Sequence, residues 1–183
     1  MTKEWKEGSF IMTFKELAVA RYSVKNYTDR PVEEEKLQEI LKVAGIAPTA
    51  RNAQAIRIYV LKSEEAMEKA KTVTPCIFGA PMCLMIAYNE EEVFFYPDEE
   101  DGVNSGAEDC SIVATHIMFE AVEQGLGTCW VNKFSPSQAK KVFQLPEKEH
   151  VVLFMPLGYA SEQGKPLPNH TKKKPLSDIV IEL

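Results

Sequence analysis

The chain has 183 residues, of which 45% are hydrophobic and 26% are charged, as expected of one globular domain with its own core. Its formal net charge of −6 at pH 7 argues against a nucleic-acid partner, because affinity for a phosphate backbone comes from clustered basic residues. No apolar stretch reaches the roughly 18 residues that a membrane span needs, and no signal peptide precedes the first predicted helix. We therefore expect a cytoplasmic protein without a membrane partner.

The cysteines and histidines indicate neither disulfides nor a metal site. No Cys-x-x-Cys pair is present, and three of the four cysteines lie within apolar runs, which favours buried thiols in a reducing compartment: Cys76, Cys83, Cys110 and Cys129. The three histidines are far apart and match no zinc spacing: His116, His150 and His170. We interpret these histidines as structural and expect no metal.

The start of the sequence predicts two helices. A helical pattern begins at about Thr13, so residues 1–12 are predicted to be an N-terminal extension of a domain that spans residues 13–183. A second amphipathic helix follows Val32, has an acidic first turn and ends before Pro48.

Two strands with a short helix between them are predicted next. Ile56–Leu61 alternates and is rich in β-branched and aromatic residues, and Met82–Tyr88 is a nearly continuous apolar run. Ser63 is a suitable N-cap for the helix between these strands.

The second half is organised around one long helix. Glu108–Gln124 carries apolar residues at helical spacing, with Gly125 as its C-cap, and so wide a stripe predicts burial in the domain centre or across a subunit interface. The remaining predicted elements are a short strand, a capped helix start and a last strand: Gly127–Val131, Ser135–Gln138 and Val151–Leu157. A polar tail, residues 161–174, is too long for a tidy crossover, which favours an α+β fold.

A cluster of cations and a hydroxyl follows the first helix. Arg21, Ser23 and Lys25 lie within five residues, and together they could hold a phosphate through a guanidinium fork, a hydroxyl donor and a point charge. The alternative is that the two cations only offset the negative C-terminal end of the helix. From these residues alone both interpretations stay open.

Five motifs in the same order resemble those of the FMN-dependent nitroreductase superfamily. They are Arg21-Tyr22-Ser23-Val24-Lys25, Ala47-Pro48-Thr49-Ala50-Arg51-Asn52-Ala53-Gln54, Gly125-Leu126-Gly127-Thr128-Cys129-Trp130, Leu157-Gly158-Tyr159-Ala160 and Lys172-Lys173-Lys174-Pro175-Leu176. The resemblance extends from about residue 14 to the C-terminus.

This resemblance implies a fold and an activity. The fold is α+β and nitroreductase-like, with a mixed central sheet flanked by helices and an intertwined homodimer around the long helix. The expected activity is that of an FMN-dependent oxidoreductase, in which NAD(P)H delivers hydride to the bound flavin and an electron-poor acceptor such as a nitroaromatic, quinone or enone then receives it.

The resemblance also implies the site residues. The phosphate and ribityl contacts are Arg21, Tyr22 and Ser23, with Lys173 closing the phosphate site. Lys25 reaches the flavin ring and acts catalytically, by stabilising the negative charge that collects there on reduction. The other subunit contributes Pro48, Thr49, Ala50 and Asn52, whereas the backbone beside the ring is that of Trp130, Val131 and Asn132.

Two departures from the family pattern bear on the substrate. The usual Pro-Trp after the second motif is Ala55 and Ile56 here, and Asn132 with Lys133 occupies a stretch that often reads Glu-Gly or Gly-Gly. The alternatives are therefore a specialised member such as a reductive dehalogenase or a flavin-fragmenting enzyme, and a non-catalytic flavin-binding or cofactor-free dimer. The aromatic segment Val93–Asp98 is either a lid over the flavin or a loop packed against the partner.

Overall fold

The computed structural model describes residues 12–97 and 102–183. The predicted extension therefore lies outside the described residues except for Met12, as does Asp98 at the end of the aromatic segment. Both helices and strands occur along the described chain. In chain order they are α1 Phe14–Ala20, α2 Glu34–Ile46, a 3-10 turn Ala50–Asn52, β1 Ile56–Leu61, α3 Glu64–Val73, β2 Met82–Asn89, β3 Phe95–Tyr96, β4 Val103–Asn104, α4 Gly106–Glu123, β5 Gly127–Thr128, α5 Pro136–Phe143, β6 Glu149–Gly158 and a 3-10 turn Leu176–Asp178.

The main sheet has four strands in the order β1-β2-β6-β5, and each neighbouring pair is antiparallel. A parallel bridge between Ser23 and Thr128 adds the segment after α1 to the β5 edge, which gives the sheet its mixed character. Strands β3 and β4 form a separate hairpin. The predicted α+β class is confirmed.

The centre of the sheet is buried on both faces. In β2, Cys83, Met85 and Ala87 belong to one apolar cluster. The alternate residues Met82, Leu84 and Ile86 belong to a second cluster, which includes α2 and α4. Because successive side chains in a strand point to opposite faces, burial of both faces produces the continuous apolar run seen in the sequence.

Local capping fixes the ends of the predicted helices. The side chain of Thr13 accepts from Glu16 N–H while the Glu16 carboxylate accepts from Thr13 N–H, a reciprocal capping box that begins α1. At the end of α4, Gly125 has a φ of 73°, and Leu126 N–H donates to the Ala121 carbonyl at 2.7 Å. This is a Schellman closure in which Gln124 is the C-cap and Gly125, the predicted C-cap, is the left-handed residue that follows it.

Several predicted boundaries differ from the observed ones. Helix α4 begins at Gly106, two residues before the predicted start, and β6 extends beyond the predicted strand at both ends. The predicted strand Gly127–Val131 is shorter, because β5 ends at Thr128 and Val131 pairs separately with Phe154. Within the described part of the chain, no helix combines the length and the apolar character that crossing a membrane requires.

Candidate functional site

A cavity of about 290 Å³ brings the first and last predicted motifs together. Its lining consists of Tyr22, Ser23, Lys25, Leu167, Asn169, His170 and Lys173. Residues separated by about 150 positions in the sequence thus face one space that offers two ammonium groups, two hydroxyls, an amide and an imidazole. This donor set suits an anion, and a phosphate in particular.

The segment after α1 is held in place by the β5 edge. Helix α1 ends at Ala20, and Val24 N–H then donates to the Thr128 carbonyl at 2.9 Å. Val24 is buried, and an added Cβ at Gly127 would lie only 2.4 Å from its Cγ2. This close packing on the inner side leaves Ser23 and Lys25, on either side of Val24, to line the cavity.

The cavity is locally cationic in an acidic chain. Within the described residues no carboxylate oxygen lies within 4.0 Å of the Lys25 ammonium, and the side chain of Lys25 is exposed. The Lys173 ammonium donates to the carbonyl oxygen of His170 at 2.9 Å, which orders the tail around the cavity. Burial raises the pKa of the nearby Cys129 thiol, while the charge of Lys25 and a hydrogen bond from Ser23 act in the opposite direction.

Arg21 is not part of this lining. It is the C-cap of α1, where its backbone N–H donates to the Leu17 carbonyl at 2.9 Å, and it is partly buried. Its predicted contact with a phosphate therefore stays a prediction.

The second predicted motif forms a strained loop elsewhere on the same chain. Arg51, Asn52 and Gln54 have φ angles of 51°, 55° and 52°, in the left-handed region that side chains disfavour. Thr49 borders another cavity, of about 270 Å³, between α2, β1 and α4.

The two cavities share no lining residue. The loop residues predicted to contact the cofactor are Pro48, Thr49, Ala50 and Asn52. Within a single chain, none of them shares a cavity with Lys25. The resemblance assigns these loop residues to the cofactor of a second subunit, and the separation seen here is compatible with that assignment.

The third predicted motif is immobilised beside β6. Val131 N–H donates to the Phe154 carbonyl at 2.9 Å, and Phe154 N–H returns a bond to the Val131 carbonyl at 3.1 Å. The Trp130 indole N–H donates to the Asn132 side-chain oxygen, and the Asn132 amide donates to the Val152 carbonyl at 2.9 Å. The side chains of this segment are thus engaged by the protein itself, whereas its contact with a flavin stays a prediction.

Three lining residues are only weakly indicated by the sequence: Leu167, Asn169 and His170. His170 lines the cavity, with its ring centroid 6.2 Å from that of Tyr22 in an edge-on arrangement, and its interpretation as a structural residue stays a prediction. In the sequence, its position next to the basic run 172–174 is the feature that indicates a place near an anion site. The wide spacing of the three histidines bears only on whether they could form a metal site.

The comparisons with known proteins establish the family. The profile of the Nitroreductase family matches residues 18–74 and 74–159, so the chain belongs to this family. A solved nitroreductase family protein of Clostridium difficile 630 is 37% identical, with a TM-score of 0.86 over 93% of this chain and 98% of that one.

Two further relatives carry more specific names. An FMN-dependent nitroreductase of Clostridium difficile R20291 is 26% identical, with a TM-score of 0.68 over 86% of this chain and 96% of that chain. An NADH dehydrogenase of Thermus thermophilus is 25% identical over 201 residues, or 93% of this chain and 96% of the relative. These names support an oxidoreductase.

Proposed function

We propose that this chain is an FMN-dependent NAD(P)H oxidoreductase. The observation that carries the proposal is the cavity in which Ser23, Lys25 and Lys173 converge, with no carboxylate among the described residues neutralising the two lysines. Two relatives also support the proposal: one of 26% identity is an FMN-dependent nitroreductase, and one of 25% identity is an NADH dehydrogenase.

The residues present fit the phosphate end of FMN. A phosphate monoester carries nearly two negative charges at neutral pH and three acceptor oxygens. The lining supplies two ammonium groups and the hydroxyls of Ser23 and Tyr22, and Asn169 adds an amide donor. Lys173 and Ser23 would hold the phosphate and the adjoining chain, and Tyr22 would border it.

The chemistry divides between cofactor and protein. When bound, FMN supplies the hydride and electron transfer. Lys25 would provide a fixed positive charge near the ring, favouring the state in which the ring carries negative charge. The backbone of Trp130, Val131 and Asn132, which is hydrogen-bonded to β6 through Val131, would lie beside the ring.

The cofactor and the reaction are tested together by visible spectroscopy. Purified protein should be yellow with bound flavin, and NADH or NADPH should bleach the flavin band under anaerobic conditions. Added nitroaromatic, quinone or enone should then restore the band. A colourless protein that takes up no added FMN would overturn the proposal, and turnover of a halogenated phenol alone would favour a dehalogenase.

We further propose a homodimer. Large apolar side chains are exposed on α1, α2, α4 and the C-terminal tail: Phe14, Val19, Ile46, Ile112, Leu176, Ile179, Val180, Ile181 and Leu183. So many exposed apolar groups favour association, and the loop Thr49–Asn52 would then reach a second subunit's cofactor. Sedimentation should show no folded monomer at micromolar concentration, and a stable monomer that keeps its FMN would contradict this assembly.

A further inference from the structure

Asp109 is a buried carboxylate outside both cavity linings. It lies in the first turn of α4 with 2% of its surface exposed. Its Oδ1 accepts a hydrogen bond of 2.8 Å from the backbone N–H of Ala50, and its Oδ2 accepts one of 2.8 Å from the hydroxyl of Ser105. Because a buried carboxylate is costly without partners, each oxygen requires such a bond.

The loop that Asp109 contacts needs an external support. Three of its residues adopt left-handed backbone angles, which residues with side chains adopt only when surrounding contacts enforce them. Bonds inside the loop, such as Asn52 N–H to the Thr49 carbonyl at 2.9 Å, shape it but do not attach it to the fold. Two loop residues, Thr49 and Gln54, line the cavity of about 270 Å³.

The start of α4 packs closely against the sheet. An added Cβ at Gly106 would lie 2.5 Å from the ring of Tyr88 on β2, so the helix begins in close contact with the sheet. Ser105 N–H donates to the Phe94 carbonyl at 3.0 Å, and the Arg51 guanidinium lies 4.8 Å from the centre of the Phe94 ring. The loop therefore meets the α4 start and the residue before β3 at two points.

We propose that Asp109 is a positioning residue that holds the loop Thr49–Gln54 in the conformation in which it contacts the flavin. This inference rests on the proposed function, because it takes Thr49, Ala50 and Asn52 as cofactor contacts. Asp109 itself is buried and acts through the Ala50 N–H.

Matched variants separate this role from a general loss of structure. Asp109→Ala removes both bonds, and FMN affinity should fall about tenfold or more. In Asp109→Asn, the amide oxygen can accept from Ala50 and the amide NH₂ can donate to Ser105, so affinity should return to within about threefold of the parent. Ser105→Ala keeps the bond to Ala50 but leaves Oδ2 without its partner, so it should lower the free energy of unfolding while FMN affinity stays within about threefold of the parent.

Amide hydrogen exchange tests the proposal without flavin, and the measurement on the parent does not depend on whether any variant folds. The Ala50 amide should exchange slowly in the parent and in Asp109→Asn, and quickly in Asp109→Ala, while amides of β2 stay equally protected in all three. An unprotected Ala50 amide in the parent would overturn the role of Asp109, even if Asp109→Ala failed to fold.

The outcomes distinguish the two proposals. Parent-like FMN affinity in Asp109→Ala overturns the role of Asp109 and leaves the proposed function standing. Equal loss of affinity in Asp109→Ala and Asp109→Asn, with Ala50 still protected, also overturns the positioning role. A parent chain that binds no FMN overturns the proposed function, together with the cofactor contact assigned to the loop.

Discussion

The two ends of strand β6 differ in whether the charged side chains around them are paired. At its start, Glu149 is buried, accepts a hydrogen bond from the Tyr59 hydroxyl and lies 3.7 Å from the Arg57 guanidinium. At its end, Leu157 pairs with Thr128, which in turn bridges Ser23 of the cavity. There the ammonium of Lys25 has no carboxylate partner among the described residues.

This difference separates charges that serve the fold from charges available to a ligand. At the start of β6 the ionic groups are neutralised within the chain, and Lys148, for example, lies 2.9 Å from Glu90. In a chain with a net charge of −6, Lys25 and Lys173 line one cavity, and neither ammonium group has a carboxylate within 4.0 Å among the described residues. An anionic ligand such as a flavin phosphate would complete their neutralisation.

The largest expected difference in FMN affinity is between a substitution of Lys173, which lines the cavity, and one of Lys148, which precedes β6. Lys173→Ala removes a charged donor from the cavity, which costs about 1.5–3 kcal/mol and raises the dissociation constant about tenfold or more. Lys148→Ala is the matched control and should leave affinity unchanged. Fluorescence titration of FMN measures both, and equal values in the two variants would remove the distinction drawn here.

Arg21→Ala sharpens the same comparison. The family resemblance makes Arg21 a phosphate contact, although it does not line the cavity of the single chain. We expect its loss to raise the FMN dissociation constant about tenfold, like that of Lys173. Unchanged affinity would confine the phosphate site to the cavity lining.

Glu149→Ala should reduce the free energy of unfolding rather than FMN affinity. The change leaves the Tyr59 hydroxyl without its acceptor and removes one partner of Arg57, whose side chain is 34% exposed and keeps Glu92 at 2.5 Å. Because Arg57 stays partly hydrated and paired, we expect a loss of only about 1–2 kcal/mol. Urea unfolding measures it, and a selective loss of FMN with unchanged stability would reverse the roles assigned to the two ends.

The elements whose cause is local could be predicted from the sequence. β2 could be predicted because burial on both faces requires a continuous apolar run, and the end of α4 because Gly125 adopts a left-handed angle. The start of β6 was not predicted because charged and imidazole side chains do not resemble a strand, whereas in the structure Tyr59 and Arg57 engage the Glu149 carboxylate.

The candidate site was predictable only where motifs contain it. Ser23, Lys25 and Lys173 were assigned through the resemblance, and the structure places all three around one cavity. Asp109 was missed because its bond to Ala50 spans 59 positions and depends on how α4 meets the loop. Such long-range pairs arise from tertiary packing, which no local sequence pattern encodes.

Lys25→Met should change the flavin's reduction potential more than its binding. A fixed cation near the ring favours the negatively charged reduced state, so its loss should shift the midpoint potential negatively by a few tens of millivolts, where about 30 mV corresponds to about 1.4 kcal/mol for two electrons. Spectroelectrochemical titration of the bound flavin decides this. An unchanged potential would mean that Lys25 is only a hydrated cation at the end of the segment after α1.

The smallest expected effect is the acid response at the start of β6. The pKa of Glu90 lies below its ordinary value. The largest cause is a hydrogen bond from Lys148, and the second is one from His150. The stabilisation is therefore fully present above the unfolded-state pKa of about 4.3 and is lost as the pH falls through the folded-state value.

Lys148→Ala should consequently be less stable than the parent at pH 6, and the difference should shrink as the pH falls below about 4. Lys148 stays charged throughout this window, since its contact with Glu90 raises its own pKa. The pH dependence therefore belongs to the carboxylates that Lys148 faces, Glu90 at 2.9 Å and Glu91 at 4.0 Å. Urea midpoints measured from pH 6 to pH 3 follow the difference. Lys165→Ala, at an exposed lysine without a carboxylate within 4.0 Å in the described ranges, provides the control and should track the parent. A gap between parent and Lys148→Ala that stays constant down to pH 3 would show that Lys148 stabilises the fold by packing along its aliphatic stem and not through the charge of Glu90.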